Sequence, residues 1–186
     1  MAIQKKLYTA DEFEQFAEAD SDRLLELIDG EIYEKMPTEE QGLVAGNIYS
    51  PMWNFVKPRK LGRVGIEVRH RRPEDQRYSL LPDLSFTSAE RLLPVVEKGS
   101  VPQMPDLVVE IKSPDDTCKD LRVEADYYLA NGSRLVWLVY PQRKAVEVCT
   151  RDSDGNVHRR TVTDVLDGGD VLPGFTLPLS EVFDLS

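Results

Sequence analysis

Two hydrophobic periods take turns along this chain, and the switches between them mark its elements. Thr9-Ala10-Asp11-Glu12 has capping-box spacing, so a helix is expected to open there. Phe13, Phe16 and Ala17 form its apolar side, and the pattern fades near Asp20. A period of two follows. Arg23 to Ile28 and Glu31 to Met36 flank Asp29-Gly30, a strong hairpin signal. Thr38-Glu39-Glu40-Gln41 is a second capping box, opening a helix through Leu43, Val44, Ile48, Met52 and Phe55. Pro51 should kink that helix or loosen a turn, and Pro58 and Gly62 mark its exit.

The later pattern is mostly strand. Val64 to Val68 reads as a strand, followed by a polar loop from His70 to Gln76. Another strand begins at Asp83, after Pro82, and a short helix and loop fill Thr87 to Gln103. Asp106 to Lys112 is an extended segment framed by Pro105 and Pro114. Residues 118–131 form an amphipathic helix with Leu121, Ala125, Tyr128 and Leu129 on one face, closed by Asn131-Gly132. Leu135 to Tyr140 is almost wholly apolar, as a strand covered on both faces would be. Strand, helix and buried strand together suggest a right-handed βαβ crossover. Ala145–Thr150 and Val157–Val162, joined through Asp154-Gly155, form a meander at the sheet edge. The tail has Pro173-Gly174 and an amphipathic end from Leu179 to Leu185. Without repeats, low-complexity tracts or a linker, residues 1–186 read as one α/β (α+β) domain.

Composition narrows the class. With 41% hydrophobic and 30% charged residues, the chain is an ordinary soluble globular protein by expectation. No apolar run approaches the roughly 20 residues that span a bilayer. Met1 to Lys6 carries two lysines but no apolar stretch after them, so no secretory signal is expected. Cys118 and Cys149 lack metal or redox spacing and read as reduced thiols of a cytoplasmic protein. A net charge of −10 opposes nucleic-acid binding by the whole surface. Lys57, Arg59, Lys60, Arg63, Arg69, Arg71 and Arg72 do gather along the chain, as a phosphate track or a solvated basic loop.

Chemistry enters at the Asp106–Lys112 strand. Alternation puts Val108, Glu110 and Lys112 on one face, and two opposite charges there are costly to bury without compensation. A lone Glu-x-Lys is usually a solvated strand end. Here Pro82-Asp83 stands upstream, and the hairpin supplies a further acid. Hard Mg²⁺ or Mn²⁺ takes carboxylate oxygens and waters beside substrate phosphates. Asp83 and Glu110, with the Ile111 carbonyl as a third ligand, form such a set. Lys112 would orient or activate a water and offset developing phosphorane charge. The upstream hairpin acid is Glu26, with Glu31 and Glu34 on the partner strand as open alternatives for the cleft. Gln41 reads as a helix-cap partner, Tyr128 as a core-edge aromatic, and Trp53 and Trp137 as core. His70 and His158 read as isolated and exposed.

Order and content resemble the PD-(D/E)xK nuclease superfamily, and more closely the Uma family of small bacterial proteins labelled as restriction endonucleases. The resemblance spans nearly the whole chain. Its segments are Glu26 to Glu31, Pro82-Asp83-Leu84, Pro105 to Ile111, and Gly132 to Pro141 with Trp137-Leu138-Val139-Tyr140-Pro141. It implies a restriction-endonuclease-like core, a mixed central sheet flanked by helices. It also implies a divalent metal held by Asp83 and Glu110 with a supporting Glu26, and DNA as the substrate, cut by a metal-activated water. In that family the position of Lys112 is often apolar, so the intact Glu-x-Lys favours activity. Two departures favour the alternative, a nuclease-fold binding or assembly protein with a weak or unused site. Gln41 stands where such proteins often carry His, and Glu124 where they often carry Lys, with Arg122 or Lys119 as substitute cations. Edge strands in the C-terminal meander are compatible with a homodimer.

Overall fold

The structure, a computed structural model, describes residues 6–186. The expectation placed on Met1 to Lys6 therefore falls, apart from Lys6, outside the described residues. Contacts group the chain into two compact units. One draws on residues up to 36, 68–81 and 94–104; the other on 37–67, 82–93 and 105–186.

The first unit opens with α1 (Ala10–Ala19). Its capping box is complete: Thr9 Oγ1 accepts from the Glu12 N–H, and the Glu12 carboxylate accepts from the Thr9 N–H at 2.9 Å. β1 (Leu24–Ile28) and β2 (Glu31–Lys35) pair antiparallel, with Glu26 opposite Tyr33. Asp29 and Gly30 both have positive φ, 48° and 79°, as a tight hairpin turn of this twist requires. Ala10, Phe13, Ala17, Leu25 and Leu27 make a small core. Phe16 does not join it: at 38% exposed it stands about 60° around the helix from Phe13 and tilts against Tyr8.

His70 is the larger correction in this unit. Expected in water, it is 3% exposed, because the main chain around it is paired rather than looped out. His70 and Leu80 exchange both main-chain hydrogen bonds, and Nδ1–H donates to the Gln103 carbonyl at 2.9 Å. Burial pushes the imidazole down to about 4, against a smaller opposing effect of the Gln103 bond. The nearby arginines also look inward. Arg69 donates to the Leu25 carbonyl and lies over the Phe13 ring, and Arg71 pairs with Asp11 and Glu14. Those two members of the basic run are committed to the unit's own groups.

The second unit comprises α2 (Glu39–Arg59), β3 (Gly62–Ile66), β4 (Leu84–Ser88), β5 (Leu107–Ile111), α3 (Cys118–Ala130) and β6 (Leu135–Tyr140). It continues with β7 (Ala145–Arg151), β8 (Val157–Val162), β9 (Val165–Asp167), β10 (Thr176–Pro178) and the short α4 (Leu179–Val182). Six strands form one mixed sheet in the order β3-β4-β5-β6-β7-β8. Every neighbouring pair is antiparallel except β5 and β6, which run parallel and are connected through α3. α2 covers one face, where Val44, Ile48, Met52 and Val56 meet Leu107, Val109, Ile111, Trp137 and Val139. α3 packs on β6 and β7 and buries Leu121, Ala125, Tyr128 and Leu129. A mixed sheet between helices is the expected class.

Details differ for identifiable reasons. The buried stripe of α2 has strict i+4 spacing, so Leu43 is exposed and Val56 is buried where Phe55 was expected. The helix runs unbroken through Pro51, which deprives the Asn47 carbonyl of its donor four residues on. β3 begins at Gly62, two residues early, because Gly62 is needed for pairing rather than as a helix exit: a Cβ there would lie 2.1 Å from the Thr87 carbonyl oxygen. The β9–β10 ladder escaped the pattern because each strand is only three residues long. Both cysteines are free; burial raises the Cys149 thiol to about 12. Among the described residues no helix is long and apolar enough to cross a membrane.

Candidate active site

The register of β4 and β5 decides where the two candidate carboxylates stand. Leu84 pairs with Val109, so one further step places Asp83 opposite Glu110. Asp83 lies just ahead of β4, where Pro82 cannot continue the ladder as a donor. Its carboxylate turns to β5 instead: Oδ2 accepts from the Ile111 N–H at 2.6 Å. Such a charge-assisted bond fixes the carboxylate against the strand.

Glu110 sits in the middle of the sheet at 3% exposed. Alternation turns it away from the α2 core, which Val109 and Ile111 face, and toward α3. There Tyr128 OH donates to Glu110 Oε1 at 3.0 Å. Tyr128 is fully buried, so the residue expected at the core edge is an anchor of the acid. Leu121, Ala125 and Tyr128 follow helical spacing, and a tyrosine on that stripe opposite a strand glutamate was the signal available in the sequence.

Gln41 also has a second task. Its Oε1 accepts from the Thr38 N–H at 2.9 Å, completing the α2 cap as expected. Its Nε2 donates to the Ile111 carbonyl at 2.9 Å, and the side chain is buried. The Ile111 peptide is thus held at both ends, by Asp83 on its N–H and Gln41 on its carbonyl.

Lys112 extends the parallel ladder through its N–H to the Val139 carbonyl, and its ammonium donates to the Ser113 carbonyl at 2.7 Å. It lines a recess with Glu40, Tyr140 and Arg143 at the carboxyl ends of β5 and β6. Glu26 belongs to the other unit, where it is buried and its Oε2 accepts from the Leu81 N–H at 3.3 Å. Its two alternatives have surface partners: Glu31 accepts from Tyr33 OH, and Glu34 pairs with Arg23. Arg122 is engaged bidentately by Glu147, at 2.8 and 2.7 Å, so it does not replace the family lysine. Among the described residues no three His, Cys, Asp or Glu side chains gather as a metal-holding group. The expected set has two carboxylates and one main-chain carbonyl. These are hard oxygen donors, the type Mg²⁺ and Mn²⁺ prefer, so the donor chemistry fits.

A second buried acid close by is structural. Asp106, fully buried ahead of β5, accepts from the Ser88 N–H at 2.8 Å and the Arg91 guanidinium at 2.6 Å. Burial pushes its carboxyl up, but those donors outweigh burial and hold it below the usual range.

Comparison with known proteins places this arrangement. A crystal structure described as a putative nuclease belonging to DUF820 from Anabaena variabilis ATCC 29413 superposes with a TM-score of 0.77 at 22% identity. It covers 94% of this chain and 97% of that one, which establishes a shared fold. Among curated proteins none matches the chain. Residues 10–180 match the profile of the Uma2 family, described as "Putative restriction endonuclease". The mixed sheet, the β4–β5 register and that match over almost the full length give one conclusion: the chain belongs to the Uma2 family.

Proposed function

We propose that this protein is a metal-dependent DNA endonuclease. One observation carries the reading: Asp83, one step ahead of β4 and 27 positions before Glu110, is bonded to the Ile111 N–H next to Glu110 on β5. Asp83, Glu110 and the Ile111 carbonyl would hold Mg²⁺ or Mn²⁺. Bound there, the ion would lower the pKa of a coordinated water and neutralise charge on the scissile phosphate. The chain's own residues do the positioning. Ile111 N–H fixes Asp83, and Tyr128 OH fixes Glu110. Each carboxylate has about four lone-pair sites, so bonds of this kind are compatible with ligation. Lys112, at the strand ends, supplies a positive charge for the phosphate.

The test uses supercoiled, linear and single-stranded DNA with Mn²⁺ or Mg²⁺. The wild type should nick or cut, and Asp83→Ala and Glu110→Gln should be slower by at least about 100-fold. Equal cleavage by all three would trace the activity to a contaminant and sink the reading.

The second reading, a nuclease fold used for binding or assembly, rests on the charge near the site. Glu124 replaces a cation, Arg122 is committed to Glu147, and the net charge is −10. It predicts no specific Mn²⁺ uptake. Calorimetric uptake by wild type that disappears in Glu110→Ala would rule it out.

A further inference from the structure

We propose that Gln41 is a positioning residue of this site, fixing the Ile111 carbonyl as a cation ligand; the proposal rests on the metal-dependent reading above. The geometry leaves little choice of orientation. A carboxamide has one acceptor end and one donor end, and the two are easily exchanged in principle. Here Oε1 is claimed by the Thr38 N–H at 2.9 Å, so Nε2 must be the end that meets the Ile111 oxygen. The Thr38 hydroxyl reinforces the arrangement by accepting from the Gln41 N–H at 3.3 Å.

The consequence lies in the carbonyl. A main-chain oxygen has two lone pairs, so a hydrogen bond from Nε2 occupies one and sets the direction of the other. Asp83 restrains the same peptide through the Ile111 N–H. Rotation of this peptide would need both bonds to break at once. Gln41 is 7% exposed and sits in the first turn of α2, whose remaining length is packed against the sheet by Val44, Ile48, Met52 and Val56. The bond therefore ties a rigid helix to one specific carbonyl. A glutamate would serve the cap equally well, since capping boxes accept Glu or Gln. Only the amide can also donate to a carbonyl. The choice of Gln is explained by the second contact and not by the first.

Removing a side chain that hydrogen-bonds to a metal ligand and holds it in place commonly weakens metal affinity by about 10-fold or more. The experiment measures Mn²⁺ by calorimetry and by the electron paramagnetic resonance of the bound ion, on the full chain. Gln41→Met keeps the volume and removes the donor; Gln41→His restores an N–H of similar reach. Thr38→Ala weakens the cap while keeping the main-chain N–H that orients the amide. The expected result is about a 10-fold weaker Mn²⁺ affinity and an altered resonance line shape in Gln41→Met. Gln41→His should recover most of the affinity, and Thr38→Ala should change it less than twofold while lowering the melting temperature. Equal Mn²⁺ affinity and line shape in wild type and Gln41→Met would overturn the assignment with the metal site intact. Equal weakening in Thr38→Ala and Gln41→Met would also overturn it, because the helix cap alone would then be responsible. If wild type itself takes up no Mn²⁺, the metal-dependent reading fails, and this inference fails with it.

Discussion

His70 shows how far a single side chain can depart from its sequence context. It follows Arg69 and precedes Arg71 and Arg72, surroundings that suggest water, yet it is buried with Nδ1–H on the Gln103 carbonyl. Its folded pKa, about 4, lies below the ordinary value of 6.5, so the unfolded chain takes up a proton first as pH falls. The stability due to neutral His70 is complete above about pH 6.5 and is lost progressively toward pH 4. Over that window the loss should total about 3 kcal/mol. Urea unfolding at pH 7 and pH 4 measures it, and His70→Gln should flatten the difference; an unchanged slope would place the titration elsewhere. The approach of Asp83 to the Glu110 strand was legible in the sequence because proline, acid and lysine stand at fixed offsets in a β-rich frame. Tyr128 and Gln41 were half legible. Their burial and their cap follow from periodicity, but the groups they hold lie 18 and 70 positions away, beyond any local pattern.

At the level of elements, the strongest signals were those whose physics is local. Both capping boxes, the Asp-Gly hairpin, α3 and β6 stand where their residues put them. Errors arise where a partner strand decides, as at Gly62, or where the ladder is too short to leave a period, as in β9 and β10. Asp106 joins several elements at once. It holds the end of β4 through Ser88 and the turn after it through Arg91, while its carbonyl accepts from the Arg134 and Leu135 N–H groups at the start of β6. Asp106→Ala would leave the Ser88 N–H and a partly buried guanidinium without their acceptor, and should cost about 3 kcal/mol. Chemical denaturation of the purified variant checks this. A loss under about 0.5 kcal/mol, the range of an ordinary surface substitution, would show that Asp106 does not tie these strands.

For the whole molecule, charge sets the terms of any encounter with DNA. A net charge of −10 repels a polyanion, and under the proposed reading the buried Glu110 and part-buried Asp83 add to that repulsion where phosphate would approach. The double variant Asp83→Asn, Glu110→Gln removes two of those charges. In chelator at low salt it should bind DNA several-fold more tightly than wild type, as followed by fluorescence anisotropy. Weaker binding by the double variant would mean that the two acids help to seat DNA without metal. The division into two units could not have been read from composition, because no linker separates them. The chain passes between them at 36/37, 67/68, 81/82, 93/94 and 104/105. Neither unit is encoded by one uninterrupted run of codons. A truncation anywhere between residues 37 and 104 would remove parts of both, so recombination can hand on this architecture intact only by moving that whole span together.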